Sequence, residues 1–237
     1  MRFFSKSRFQ LLRGTQTRKY LTYAIGEIVL VVIGILIALA INDWKQQKGD
    51  QSELNRIITV IEADFKSDLK ETKNAIKTLN PAQKLIKKML YRPKFKDSIR
   101  NCVDCRYILA RSYIINFKSK GQELLSNYNK DLKTKNKYVD SILSFYEIYS
   151  KDEFQFKNKL ILEEVVNNME YLRDNYDWYS DYITKGKCEE NCLNYFESPN
   201  YINRLAYFEL FYNDFLLDIE DYKAGLQKTL GFLNNRY

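Results

Sequence analysis

The chain has 237 residues, with 38 Lys and Arg against 30 Asp and Glu, and no histidine. Without histidine, Ser-His-Asp and Cys-His nucleophilic arrangements are excluded, as are most catalytic zinc sites. Six of the eight net positive charges sit in residues 1–20, so the remainder has almost no basic excess to neutralise nucleic-acid phosphates.

Residues 1–20 form a basic arm carrying Arg2, Lys6, Arg8, Arg13, Arg18 and Lys19 and no acid. Phe3, Phe4, Phe9, Leu11 and Leu12 interleave with these charges, a composition suited to a short amphipathic helix on an anionic leaflet. Leu21 to Ile41 follows, LTYAIGEIVLVVIGILIALAI, interrupted by one charge, Glu27. As a helix it covers about 30 Å, the hydrocarbon thickness of a bilayer. Basic residues close to a span stay in the cytoplasm, so the N-terminus is expected inside and residues 42–237 outside. Ala38-Leu39-Ala40 has the look of a signal cleavage site. The apolar run fills a whole span, however, and Tyr20, Tyr23 and Trp44 bracket it as interfacial anchors do, so a retained anchor is expected.

A carboxylate inside a span is costly and usually faces a partner or a cavity. Glu27 either reaches toward the inner headgroups or lies on a helix–helix interface. For the second reading, Glu27, Val31, Gly34, Ala38 and Ile41 share one helical face, and Gly34-xxx-Ala38 is a small-xxx-small pair that permits close approach. Glu27, Gly34 and Ala38 are therefore the candidate membrane-interface residues.

Beyond the span the sequence reads as helix almost throughout, with only three Pro and eight Gly in the whole chain. From Ser52 to Leu90, Leu54, Ile57, Ile58, Ile61, Phe65, Leu69, Ile76, Leu79, Leu85, Ile86 and Met89 make an amphipathic stripe. Asn80-Pro81 is placed to cap and restart the helix. Residues 91–118, with Pro93, are the least regular. A helical stretch from about Leu132 to Tyr182 slips register near Asp152-Glu153, as two helices or one bent one would. Lys185-Gly186 to Ser198 reads as a loop. Ser198 and Pro199 then start a last helix whose inner face holds Tyr201, Ile202, Leu205, Phe208, Tyr212, Phe215, Leu216, Ile219, Tyr222, Leu226, Leu230 and Leu233. The fold expected is all-α: an N-terminal transmembrane helix, then a single antiparallel helical bundle over 42–237.

The four cysteines, Cys102, Cys105, Cys188 and Cys192, form CxxC and CxxxC pairs in expected loops. Structural disulfides fit an oxidising compartment. A four-thiolate zinc site and a redox couple stay open as alternatives, although the redox couple lacks a βαβ context. The three disulfide pairings are indistinguishable from sequence.

KYLTYAIGEIVLVVIGILIALAINDW, preceded by an arm beginning MRFFSKSR, resembles the N-terminal signature of a family of single-pass membrane proteins of unknown function from Bacteroidota. Phe117-Lys118-Ser119-Lys120-Gly121 is similar to that family's Leu-Lys-Ser-Ser-Gly segment, with Phe117 and Lys120 as departures. Ser141-Ile142-Leu143-Ser144-Phe145-Tyr146-Glu147 resembles its following helix. The resemblance implies a Gram-negative inner-membrane protein with a periplasmic domain, and it brings no catalytic residues.

No phosphate-cradling GxxxxGK[ST] or GxGxxG occurs, and the adjacent acids Asp152-Glu153, Glu163-Glu164, Glu189-Glu190 and Glu220-Asp221 read as solvated helix faces. No enzyme and no cofactor are expected. Tyr171, Tyr176, Trp178, Tyr179 and Tyr182 could bind a glycan or a partner protein, although core or rim is the safer reading for aromatics at helical spacing. The function expected is a membrane-anchored periplasmic helical interaction or scaffold protein, self-associating or joined to an envelope partner. The alternative is a periplasmic ligand-sensing module that signals through a partner, because an arm of twenty residues has no room for an output domain.

Overall fold

The computed structural model describes residues 15–92, 95, 99–128, 136–149 and 151–236, with side chains from residue 21 onward except 151 and 152. The arm's residues 1–14, Pro93 and Leu132 lie outside that set. All regular structure described is helical: α1 (Thr15–Tyr91), α2 (Val103–Arg106), a 3-10 turn (Ile108–Ala110), α3 (Lys120–Asn127), α4 (Lys137–Ile148), α5 (Lys151–Asn175), α6 (Tyr179–Lys185), α7 (Glu190–Glu197) and α8 (Pro199–Asn234). Two compact units divide the chain, Met1–Asn55 and Arg56–Tyr237.

In the N-terminal unit, the apolar part of α1 is long enough to cross a membrane, and none of it is covered by protein. Leu30, for example, is 71% exposed and Ile28 62%. A soluble helix rarely leaves so long a run of large apolar side chains bare, because each one held in water forfeits its burial energy.

The C-terminal unit is built on heptad spacing. Along α1 the buried residues Ile61, Phe65, Asp68, Thr72, Ala75 and Leu79 recur at alternate steps of four and three. Along α8 the same steps run through Tyr201, Leu205, Phe208, Tyr212, Phe215, Ile219, Tyr222, Leu226, Thr229 and Leu233. This alternation keeps one seam of each helix facing its neighbour. The pairing is antiparallel: Arg236 meets Glu62, Tyr222 meets Asp68, and Tyr212 meets Leu79. On the other flank α4 and then α5 follow α8 in reverse order, from Tyr138 with Phe232, through Phe154 with Tyr222, to Tyr171 with Asn200.

Four buried polar residues interrupt these helix faces, Asp68 and Thr72 on α1, Asn168 on α5 and Thr229 on α8. A strap over residues 109–121, irregular from 111 to 119 between the 3-10 turn and α3, explains two of them. Asn168 donates to the Leu109 carbonyl (3.2 Å), and Asn158 donates to the Ile115 carbonyl (2.9 Å). On the α1 side, the Lys118 amide donates to Asp68 (2.9 Å) and the Gly121 amide to Asp64 (2.7 Å). Backbone outside helices must find partners elsewhere, and here helix side chains supply them.

Several expectations change. Helix α1 runs through Pro81 without restarting. Proline removes one main-chain donor. Two contacts from α8 hold that turn: Tyr212 donates to the Leu79 carbonyl (3.1 Å) and Gln83 donates to Asn213 (2.7 Å). Leu69, Ile76 and Leu85 are only half-buried; beside the first two, Asp68, Thr72 and Ala75 take the interior positions. The register slip is a true break between α4 and α5, which fall on either side of Ser150. The expected loop after Gly186 is mostly helix α7. Gly186, at φ 68°, closes α6 in the left-handed conformation that glycine adopts without strain. Ser198 does cap α8, accepting from the Tyr201 amide (3.3 Å), but Ile202 is only half-buried and Thr229 joins the inner face.

Candidate functional site

Three of the four cysteines lie at the starts of helices, Cys102 and Cys105 at α2 and Cys192 in α7, while Cys188 sits in the expected loop just before α7. Cys102 is the N-cap of α2, and its sulfur accepts from the Cys105 amide at 3.2 Å. Its Cα lies 5.3 Å from that of Cys105, and the two sulfurs are at disulfide distance. Cys188 pairs in the same way with Cys192 inside α7, with Cα atoms 5.1 Å apart. Both pairings are local. A first helical turn brings residues three apart together at Cys102 and Cys105, and at Cys188 the loop folds back onto the first turn of α7.

Both cysteine-tied turns meet at the beginning of α8. Tyr201, fully buried, donates to the Cys105 carbonyl at 2.5 Å, and Tyr182 donates to the Arg106 carbonyl at 3.2 Å. Burial pushes both phenols above the ordinary tyrosine range. Phe196 lies edge-on to Tyr201, with ring centres 5.0 Å apart. Outside this layer, Arg100 donates to Glu190 (2.6 Å), Glu197 (2.9 Å) and Asn194 (2.9 Å), clamping α7 to the segment before Cys102. The hydrogen bond from Arg100 holds the Glu190 carboxyl below its ordinary value.

The expected aromatic surface is largely the rim of this layer. Tyr182 is buried, while Tyr171, Tyr176, Trp178 and Tyr179 are half-buried. Tyr171 is occupied on one side by the Arg204 guanidinium, 3.7 Å from its ring centre. Burial and the contact with Tyr171 push Tyr176 up to about 12.

Beside the CxxC turn opens a cleft of about 300 Å³. One wall is the Pro81 turn of α1, with Pro81, Ala82 and Leu85; the opposite wall comes from Tyr107 and Ile108; Tyr212 of α8 completes it. Three of its hydroxyls are already engaged, Tyr212 with the Leu79 carbonyl, Tyr113 with Glu71 (3.2 Å) and Thr78 with the Asn74 carbonyl (3.0 Å). At the mouth stand Arg111 and Asp104, with N–O 3.8 Å apart. Among the described residues no group of three His, Cys, Asp or Glu is arranged to hold a metal. The cleft has the character of a binding site: apolar walls and few polar groups, without a nucleophile and base in contact.

Glu27, Gly34 and Ala38 fall in the N-terminal unit, exposed on α1, with nothing within 4 Å of a Cβ placed on Gly34. Sequence reasoning did not find the cleft. Its only local signals were a proline kept within a helical stripe and a charged residue inside CxxC.

Residues 27–110 match a family described as "Family of unknown function (DUF6090)". The matched stretch contains most of the span, the rest of α1 and the CxxC turn. No curated protein and no solved structure matches the chain. The likeness carries no activity with it.

Proposed function

We propose that the chain is a membrane-anchored interaction protein whose helical domain, 42–237, sits in the periplasm of a Gram-negative cell and binds copies of itself or an envelope partner. One observation carries this reading: the apolar stretch Leu21–Ile41 is uncovered along its whole length and follows an arm that is basic throughout. Positive residues before a span favour a cytoplasmic N-terminus in the inner membrane. Two cysteine pairs at disulfide distance fit an oxidising compartment on the other side. A reporter fused after Tyr237 should be active only outside the cytoplasm, and protease added to spheroplasts should degrade the domain. A protected domain would overturn the reading. Pull-down from gently solubilised membranes should then recover a stoichiometric partner or further copies of the chain.

The cleft at the Pro81 turn favours a second reading, ligand sensing through a partner. Recovery of a partner with a cytoplasmic signalling domain would support it.

A further inference from the structure

We infer that the cleft beside the CxxC turn binds a small zwitterion, an α-amino acid with an apolar side chain, through Arg111 and Asp104. The mouth decides the charge of the ligand. Arg111 and Asp104 are 67% and 76% exposed and only loosely paired at 3.8 Å. Such a surface pair contributes little by itself and is easily exchanged. It nevertheless offers a guanidinium fork suited to a carboxylate and a carboxylate suited to an ammonium group.

A ligand that carries an ammonium and a carboxylate on one carbon replaces one weak contact by two charge-assisted hydrogen bonds. A simple acid would be attracted by Arg111 but repelled by Asp104. A simple amine would meet the reverse. Only the zwitterion satisfies both. The guanidinium is also held in place, lying 4.8 Å from the Tyr107 ring centre, and Tyr107 in turn stacks on buried Tyr182 at 5.0 Å.

The interior decides the rest of the ligand. Pro81, Ala82, Leu85 and Ile108 present apolar surface, the hydroxyls of Tyr212, Tyr113 and Thr78 already donate elsewhere, and that of Ser112 belongs to an exposed residue next to Arg111. An apolar side chain is therefore what the walls accept. A volume of about 300 Å³ lies at the small end for ligand sites, matching a metabolite of amino-acid size.

The inference gives the second reading its ligand but stands on the cleft alone. The full-length chain in mild detergent is titrated calorimetrically with L-phenylalanine and L-leucine, and with hydrocinnamate and phenethylamine as single-charge comparators. Saturable binding of at least one amino acid is expected, with each comparator at least about tenfold weaker, the worth of one charge-assisted hydrogen bond. Arg111→Met and Asp104→Asn should each weaken binding about tenfold while leaving the circular dichroism spectrum unchanged, because both side chains are exposed. Ala82→Phe should block binding by filling the cleft. No saturable binding up to about 10 mM of either amino acid, weaker than the millimolar range, would overturn the inference. So would a comparator that binds as tightly as its amino acid, or binding indifferent to both Arg111→Met and Ala82→Phe. Binding without any signalling partner in the pull-down would retain the site and reject sensing.

Discussion

Tyr222 donates its hydroxyl to Asp68 across the α1–α8 seam at 3.1 Å, and the same carboxylate accepts the Lys118 amide at 2.9 Å. Asp68 is 1% exposed. Asp68→Ala would strand a buried hydroxyl and a strap amide, at about 1–3 kcal/mol for each donor left without its acceptor. Tyr222→Phe takes one hydrogen bond from the buried carboxylate but leaves it the strap amide, and should cost less than both losses together, about 1.5–3 kcal/mol. Urea denaturation should give that order, and Asp68→Asn, which retains an acceptor, should fall between wild type and Asp68→Ala. Equal losses for Tyr222→Phe and Asp68→Ala would mean that the carboxylate does not organise the strap.

That carboxylate also shows where the sequence ceased to be legible. The inner face of α8 was readable almost residue by residue, because its buried positions are nearly all apolar at heptad spacing. On α1 apolar periodicity points to Leu69 and Ile76, which are half-buried, and passes over Asp68 and Thr72, which are buried. Asp68 serves a backbone strap about fifty residues downstream, and Thr72 turns its hydroxyl back to the Leu69 carbonyl, needs that no apolar pattern reports. The break between α4 and α5 was visible because the apolar register itself slips there. The cleft draws on α1, the CxxC segment and α8, so only the tertiary arrangement brings Ala82, Arg111 and Tyr212 together.

Gly121 is where the strap joins α3 and comes closest to α1. A Cβ there would lie 2.6 Å from Cγ1 and 2.9 Å from Cα of Ile61. Only the first of these contacts can be relieved by rotating a side chain. Gly121→Ala should therefore destabilise by about 1–3 kcal/mol, the usual cost of overpacking. Ile61→Val in the same chain should restore little, because the clash with Ile61 Cα remains. A neutral Gly121→Ala in chemical denaturation would show that the strap does not sit this close to α1.

The Arg100 clamp has an acid limb. Its hydrogen bond holds the Glu190 carboxyl below the ordinary glutamate range, so the charged form is favoured by folding. A depressed pKa contributes stability above the unfolded value, and that contribution is lost as pH falls through the folded one. Arg100→Met should thus lower the melting temperature at neutral pH. The gap from wild type should close as pH drops below the ordinary glutamate range. A gap of constant size down to strongly acidic pH would assign the effect of Arg100 to packing of its stem.

Each cysteine pair spans a very short loop, with sequence separations of three and four. Loop-closure entropy for so few residues is small, so removing one bridge by double Cys→Ser substitution should cost about 2 kcal/mol. The Cys102/Cys105 pair should be the more sensitive in one respect: it positions the carbonyl that Tyr201 bonds at the head of α8. Alkylation and mass spectrometry of unreduced protein should find no free thiol. Four reactive thiols in protein taken from the cell envelope would remove the bridges and weaken the case for an oxidising compartment.

Self-association through the span is the last expectation, and it rests on the face shared by Glu27, Gly34 and Ala38. Gly34 has open space around it on an uncovered helix, so a second helix can approach there without displacing any side chain of its own unit. Hydrogen bonds between membrane helices average only about 0.6 kcal/mol, whereas close packing at small residues acts along the whole contact. Gly34→Ile, which fills the approach, should weaken oligomers in mild detergent more than Glu27→Gln, which keeps a hydrogen-bonding group. Ala38→Ile should act in the same direction as Gly34→Ile, being one turn further along the same face. Crosslinking in native membranes checks both. A chain that is monomeric in mild detergent, with crosslinking unchanged by Gly34→Ile, would leave no interface on this face, and Glu27 would then be a carboxylate reaching toward the inner headgroups.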